Sequence, residues 1–250
     1  MSMQRIHLLN TFVDNLSMQE TLQRIEESIV HNKPMHHTVV NAGKIVAMQT
    51  DEELRKSVNE ADVINADGQA VIWASKLLNK PLKERVAGID LFVNLVQLAH
   101  QKDFSIYLLG AKQEVVEAVV GKFEKQYDPK IISGFRNGYF SASEEKQIVD
   151  KIVHSKANML FVAMSSPKKE IFLHKHRKAL SSVPFIMGVG GSFDVLAGKT
   201  KRAPLWMQNS GLEWFYRFLQ EPKRMWKRYL VGNSKFLYLV FKEKFHLINK

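Results

Sequence analysis

The chain contains no cysteine in 250 residues. Disulfides and thiolate metal sites are therefore excluded, and a reducing cytosol fits this composition. No apolar run approaches the roughly 18 residues that a bilayer span needs. The start, Met1-Ser2-Met3-Gln4-Arg5, leads into no secretion-signal core. His-Glu-x-x-His, Asp-x-Asp, Gly-x-Ser-x-Gly and the P-loop pattern are all missing, which removes the metal, nucleophile and nucleotide motifs easiest to read from sequence. His174 and His176 stand two apart, so a helix would point them to different faces and not at one metal. No internal repeat, low-complexity tract or linker is present.

What remains is 45% hydrophobic and 24% charged, the composition of a folded globular chain rather than a disordered one. Its length suits about one to one and a half domains. The net charge of +11 is unevenly placed. From Lys199 to Lys250 there are 12 Lys and Arg against three acids, which leaves only +2 for the first 198 residues. The same 52 residues carry 11 of the 25 aromatics and three of the four tryptophans. A near-neutral body over 1–198 is thus expected to carry a basic, aromatic, helical appendage over 199–250. Such a charge implies an anionic partner: nucleic acid, phospholipid headgroups or a phosphorylated substrate.

The body alternates strands and helices. Ser17 with Glu20 is a capping-box pattern, and Met18, Leu22, Ile25 and Ile29 then recur at helical spacing, predicting a helix over 18–31. Apolar runs at 38–41, 61–66, 104–109, 159–164 and 183–189 read as strands, with a helix over 112–126 and another opened by Pro167. This alternation predicts an α/β fold, a parallel sheet with helices on both faces. Ligands of such sheets bind beyond the carboxyl ends of the strands, which directs attention to Asn41, Asp67, Gly110, the Ser165-Ser166-Pro167 turn and Gly190-Gly191. The tail reads as a helix over 208–220, a second from Pro222 that stops near Gly232-Asn233, and a third over 234–248.

Asp67, in Asn65-Ala66-Asp67-Gly68, can take a proton from an attacking hydroxyl; the same tetrapeptide also reads as an Asp-Gly turn, the simpler local account. Gly188-Val189-Gly190-Gly191 lets a ligand approach backbone N–H groups closely, although Phe193 stands where a full dinucleotide fingerprint needs glycine. Leu109-Gly110 is a second such turn that packing explains equally well. Lys168 and Lys169 oppose the dipole of the helix they open, so an anionic ligand is one reading and a solvated loop the other. The basic tail reads as a solvated surface, a nucleic-acid patch or a membrane-interface element, and its interleaved Trp and Tyr favour the interface.

Gly188-Val-Gly-Gly-Ser-Phe-Asp-Val-Leu-Ala-Gly-Lys-Thr-Lys-Arg-Ala-Pro204, Gly211-Leu-Glu-Trp-Phe-Tyr-Arg217 and Glu221-Pro-Lys-Arg224 together resemble the signature of the WecG/TagA/CpsF glycosyltransferases. Asn65-Ala-Asp-Gly68, Arg85-Val-Ala-Gly-Ile-Asp-Leu91 and Ser166-Pro-Lys-Lys-Glu170 extend the resemblance upstream. It implies a Rossmann-like fold and a cytoplasmic enzyme, peripheral on the inner face of the membrane. It further implies inverting, metal-independent transfer of a sugar from a UDP carrier to a polyprenyl-diphosphate-linked sugar, in polysaccharide or teichoic acid assembly. The sugar implied is N-acetylmannosamine, its uronate, or glucose or glucuronate, and no separate cofactor is implied. An anionic membrane surface and a second copy of the chain are the implied partners, and nucleic acid is not among them. By motif position Asp67 is the general base, Asn41 lies near the sugar, Arg85 is an active-site arginine, and Arg217 and Arg224 approach the diphosphates. Two positions depart from the pattern. Val39 replaces a threonine, with Thr38 beside it as a substrate-binding candidate on the opposite strand face. Lys169 replaces a glutamine and suits a diphosphate or a sugar carboxylate. Gly110, Gly190 and Gly191 complete the binding set. The rival readings are a non-catalytic UDP-sugar binder and a basic nucleic-acid-binding protein.

Overall fold

The structure is a computed structural model that describes residues 4–248, the side chains at 209, 223–225, 227–229 and 246–248 excepted. Its eight strands are β1 (Arg5–Leu8), β2 (Thr11–Asp14), β3 (Met35–Val40), β4 (Val63–Ala66), β5 (Ile106–Gly110), β6 (Ile132–Arg136), β7 (Met159–Ala163) and β8 (Phe185–Gly188). The last six form one parallel sheet in the order β4-β3-β8-β7-β5-β6. The α/β expectation therefore holds, with helices on both faces. Successive residues of the central strands feed opposite cores. Ile106, Leu108, Met159 and Phe161 pack with the helices Met18–Val30, Gly88–Gln101 and Gln113–Gln126. Tyr107, Leu109, Leu160 and Val162 pack with Glu145–His154 and Lys168–Lys175. A strand covered on both sides has no polar face, which is why these segments read as unbroken apolar runs.

The capping box is formed: Ser17 Oγ accepts from Glu20 N at 3.1 Å, and Glu20 Oε2 accepts from Ser17 N at 2.7 Å. Three elements differ from the sequence reading. The hairpin β1–β2 turns on Leu9 and Asn10, both at positive φ, a two-residue turn without the usual glycine. It is pinned by Arg5, which grips Asp14 through two bonds of 2.8 and 2.9 Å. Edge strand β6 carries alternating exposure and no apolar run. The third difference is the C-terminus. The tail forms helices Leu205–Asn209 and Glu213–Gln220, then one unbroken helix, Pro222–Ile248.

Gly232 does not end that last helix, although a glycine in a helix interior costs about 1 kcal/mol. Its surroundings are open, and anchoring further along keeps the helix unbroken. Phe236 and Val240, one turn apart, are buried in the core shared with Val40, Ile45 and Ile64. Glu243 accepts from Leu9 N at 2.8 Å and pairs with Lys80 at 2.9 Å, and Lys244 Nζ donates to Leu77 O. Among the described residues no helix is long and apolar enough to cross a membrane.

Two histidines of β3 are sealed in this frame. Burial first, then the nearby Arg177 charge, holds His36 down to about 3. Burial outweighs a 2.8 Å hydrogen bond to Asn65 and holds His37 at about 4. Both fold as neutral rings, so their contribution is complete above their ordinary value of 6.5 and fades as protons enter the unfolded chain below it. Stability is expected to fall as pH drops from 6.5 toward 4, by up to about 1.4 kcal/mol per pH unit for each ring, and the melting temperature with it. Thermal melts across that range check it, and a flat profile would contradict the buried neutral rings.

Candidate active site

β8 pairs with β3 only as far as His37↔Met187. Beyond that register the two strands carry no further ladder pairs, leaving a break in the ladder between their carboxyl ends at the point where the strand order reverses, the place where parallel sheets hold ligands. On its far wall, β3 and β4 stay paired to Val40↔Ala66. Asn41 follows β3, and its side chain accepts from Lys44 N at 3.0 Å, capping the helix Ala42–Ala47. Asp67 follows β4, with its N–H on Val40 O. A Cβ on Gly68 would stand 3.2 Å from Asn41 Cβ, so glycine is what lets the two strand ends lie side by side. Asp67 is half-buried, and its Oδ1 accepts from Gly88 N at 3.0 Å. That bond fastens the start of the helix Gly88–Gln101 to the carboxylate. Val39, at the departed threonine position, packs against Gly88, and Thr38 is buried within β3.

The near wall is charged although it is buried. Glu170 Oε1 lies 2.7 Å from Lys44 Nζ and 2.6 Å from Lys169 Nζ, with all three side chains under 10% exposed. Lys44 Nζ also donates to Val39 O at 2.6 Å. Burial pushes the Glu170 carboxyl up, but the two lysines outweigh burial and hold it at about 2. Lys169 runs along Gly188, where a Cβ would come within 2.9 Å of its Cδ, and its Cε lies 3.8 Å from the Cβ position of Gly190. Gly190 takes φ +55°, and Gly191 is exposed at the rim. The lysine at the helix start is thus a buried wall group, whereas Lys168 beside it is exposed.

The third wall joins body and tail. Arg85 donates to Glu213 at 3.2 Å across 128 residues. Arg202 grips Asp90 through both carboxylate oxygens, one bond being 2.7 Å. The hydrogen bond to Asp90, and after it the charges of Glu213 and Asp67 among others, raise the Arg202 pKa, so this arginine is within electrostatic reach of the candidate base. Arg217 Nη2 stands 3.7 Å from Glu213. The Arg224 side chain lies outside the described residues. Gly110 ends β5 at φ +133°, where a Cβ would come within 2.4 Å of Ala163 O; contact with β7 alone requires glycine there. Among the described residues no cluster of three His, Asp or Glu is placed as metal ligands would be.

Sequence reading missed Lys44, Glu170, Arg202 and Glu213. The one local signal was Lys44 itself, a lysine on the face of a short helix that buries Ala42 and Ile45. The others are ordinary surface residue types until their partners are known.

The chain matches the glycosyl transferase WecG/TagA/CpsF family over residues 6–250. This chain belongs to that family. It is therefore a glycosyltransferase, and the carboxyl ends of β3, β4 and β8 are the candidate for its active site. The N-acetylglucosaminyldiphosphoundecaprenol N-acetyl-beta-D-mannosaminyltransferase of Bacillus subtilis (strain 168) is 35% identical over 236 residues, covering 94% of this glycosyltransferase and 87% of the relative. The enzyme of the same name from Staphylococcus aureus (strain MW2) is 32% identical over 246 residues, covering 96% and 93%.

Proposed function

We propose that this glycosyltransferase moves an N-acetylmannosamine-type sugar from a UDP carrier to a polyprenyl-diphosphate-linked sugar, with inversion, in the assembly of a cell-surface polymer such as teichoic acid. The observation that carries the reading is one half-buried carboxylate, Asp67, at the carboxyl end of β4, on the side of the sheet that also gathers the Lys44–Glu170–Lys169 trio and Arg85. In this mechanism the acceptor hydroxyl attacks the anomeric carbon from the face opposite the diphosphate. Asp67 takes the hydroxyl proton as the bond forms, and the sugar–phosphate bond breaks with its electron pair going to the departing UDP. Fixed positive groups are worth most where charge develops in a water-poor site. Lys169 beside Gly188–Gly190 and Arg85 beside Asp67 serve that purpose, without a metal ion. Asn41 holds the sugar through its Nδ2 amide, while Oδ1 caps the helix.

The test is UDP release with UDP-N-acetylmannosamine, UDP-glucose and their uronates, using a short-chain prenyl diphosphate N-acetylglucosamine acceptor, with and without EDTA. Release that survives EDTA and depends on both substrates is expected. No release from any donor would end the reading, and complete loss with EDTA would end its metal-free part. The four donors are also to be screened for thermal stabilisation, since a ligand that prefers the native state raises its melting point.

The acceptor's lipid tail requires the enzyme to meet a membrane surface. Exposed Trp206, Leu219, Trp226 and Leu230 on the C-terminal helices, among 12 Lys and Arg, suit an anionic interface. Each basic residue near such a surface contributes about 1 kcal/mol. Leu219→Glu with Leu230→Glu in the full chain is expected to reduce co-sedimentation with phosphatidylglycerol vesicles about ten-fold or more, with Tm unchanged. Undiminished binding would sink the interface. Removing residues 199–250 is a poorer test, because it also strips Phe236 and Val240 from the core.

A further inference from the structure

Glu213 is the first residue of the helix Glu213–Gln220, and its side chain is 16% exposed. Three guanidinium groups from three separate segments face this one carboxylate. Oε2 accepts from Arg85 Nη1 at 3.2 Å. Oε1 stands 3.8 Å from Arg202 Nε and 3.7 Å from Arg217 Nη2. The last two distances are too long for hydrogen bonds. Glu213 thus takes one hydrogen bond from Arg85 and attracts Arg202 and Arg217 without taking a hydrogen bond from either. The buried Nε–H of Arg202 has no hydrogen-bond acceptor, and the Arg217 side chain is 42% exposed. Arg85 is itself tied to the candidate base: Val86 N donates to Ala66 O, and Gly88 N donates to Asp67 Oδ1.

Three like charges on three segments repel one another; Asp90 holds Arg202 as well, but Glu213 is a counter-ion that all three share. Two alternatives fit this geometry less well. A clamp that merely fastened the tail would need only the Arg85 bond, and would not also draw Arg202 and Arg217 to within 4 Å of the same carboxylate. A plug occupying the anion's seat would hydrogen-bond all three arginines, whereas Glu213 bonds Arg85 and stands off from the other two.

We propose that Glu213 is a positioning residue: it gathers Arg85, Arg202 and Arg217 beside Asp67, so that the diphosphate leaving the donor meets donors already in place. This rests on the UDP-sugar reading above. Pre-aimed guanidinium groups need not reorganise as charge appears on the leaving group, and Glu213 acts through them without touching substrate.

The test is a double-mutant cycle on the full-length enzyme with Glu213→Gln, Arg85→Gln and the pair, plus Glu213→Asp. The measurements are kcat and KM for transfer, and calorimetric affinities for UDP and uridine. Glu213→Gln is expected to lower kcat about 10- to 100-fold. Its preference for UDP over uridine should shrink while uridine affinity and Tm hold. Glu213→Asp should recover part of kcat. The pair should be no worse than Arg85→Gln alone, because residues acting as a unit are not additive. If Glu213→Gln lowers Tm but leaves kcat and the UDP preference intact, or if the two substitutions multiply in full, Glu213 is only structural and the proposal falls. A wild-type enzyme that binds UDP no better than uridine would overturn the donor reading and this proposal with it. Intact UDP preference in Glu213→Gln overturns the proposal alone.

Discussion

Asp67→Asn is expected to slow sugar transfer by about 10²- to 10⁴-fold, the usual worth of a positioned general base, with UDP affinity retained. The substitution is nearly isosteric. The asparagine carbonyl can still accept from Gly88 N, as Asp67 Oδ1 does at 3.0 Å, so the loop that carries Arg85 keeps its anchor. What is lost is the basic oxygen and the negative charge facing Arg202. Binding and chemistry should separate: calorimetry with UDP near wild type, and UDP release close to the background. Because Gly68 is pressed against Asn41, Asn41→Ala should give a smaller loss and some destabilisation, since it removes the cap on Lys44 N along with any contact to the sugar. Asp67→Asn turning over within a few-fold of wild type would move the base elsewhere.

Glu170→Gln should be the most destabilising single change among the charged residues. Both lysines share one carboxylate oxygen, and all three side chains are under 10% exposed. Removing one partner of a buried ion pair costs about 3–5 kcal/mol, because the remaining charge stays unpaired. At about 2–4 °C per kcal/mol for a chain of this size, Tm should drop by roughly 6–20 °C. The carboxyl is held near 2 against an ordinary 4.5. Its contribution is therefore fully present above 4.5 and is lost as pH falls from there through about 2. The Glu170→Gln deficit should then narrow in melts run toward the acid end of that window. Lys44→Met added to Glu170→Gln removes one of the stranded ammonium groups and should restore part of the loss. A Tm within about 2 °C of wild type for Glu170→Gln alone would show that the trio is hydrated.

Local order was the legible part of this molecule. Ser17 and Glu20 cap their helix through contacts within one turn, and the runs around Leu108 and Phe161 are apolar because both faces are covered. The hairpin was hidden because Leu9 and Asn10 adopt positive φ without glycine; Arg5, Asp14 and the β4 backbone hold it, and none of them is a turn signal. Gly232 looked like a stop because glycine favours helix ends. Phe236, Val240 and Glu243 overrule it from one to three turns away, through contacts with residues early in the chain. At the site, Asp67, Arg85, Lys169 and Gly190 were named from motifs. Their neighbours Lys44, Glu170, Arg202 and Glu213 were not, because each acquires meaning only opposite its partner.

By itself the amino-acid order determined the α/β alternation, the absence of thiol chemistry, the basic aromatic tail and the family to which the chain belongs. Periodicity, composition and motif spacing act along the chain and can be read there. Tertiary structure alone decided where the sheet parts between β3 and β8, which lysines share Glu170, and that Glu213 of the tail faces Arg85 of the body. Ion pairing depends on distance through space and on how little water lies between the charges, and neither is written in the order of residues.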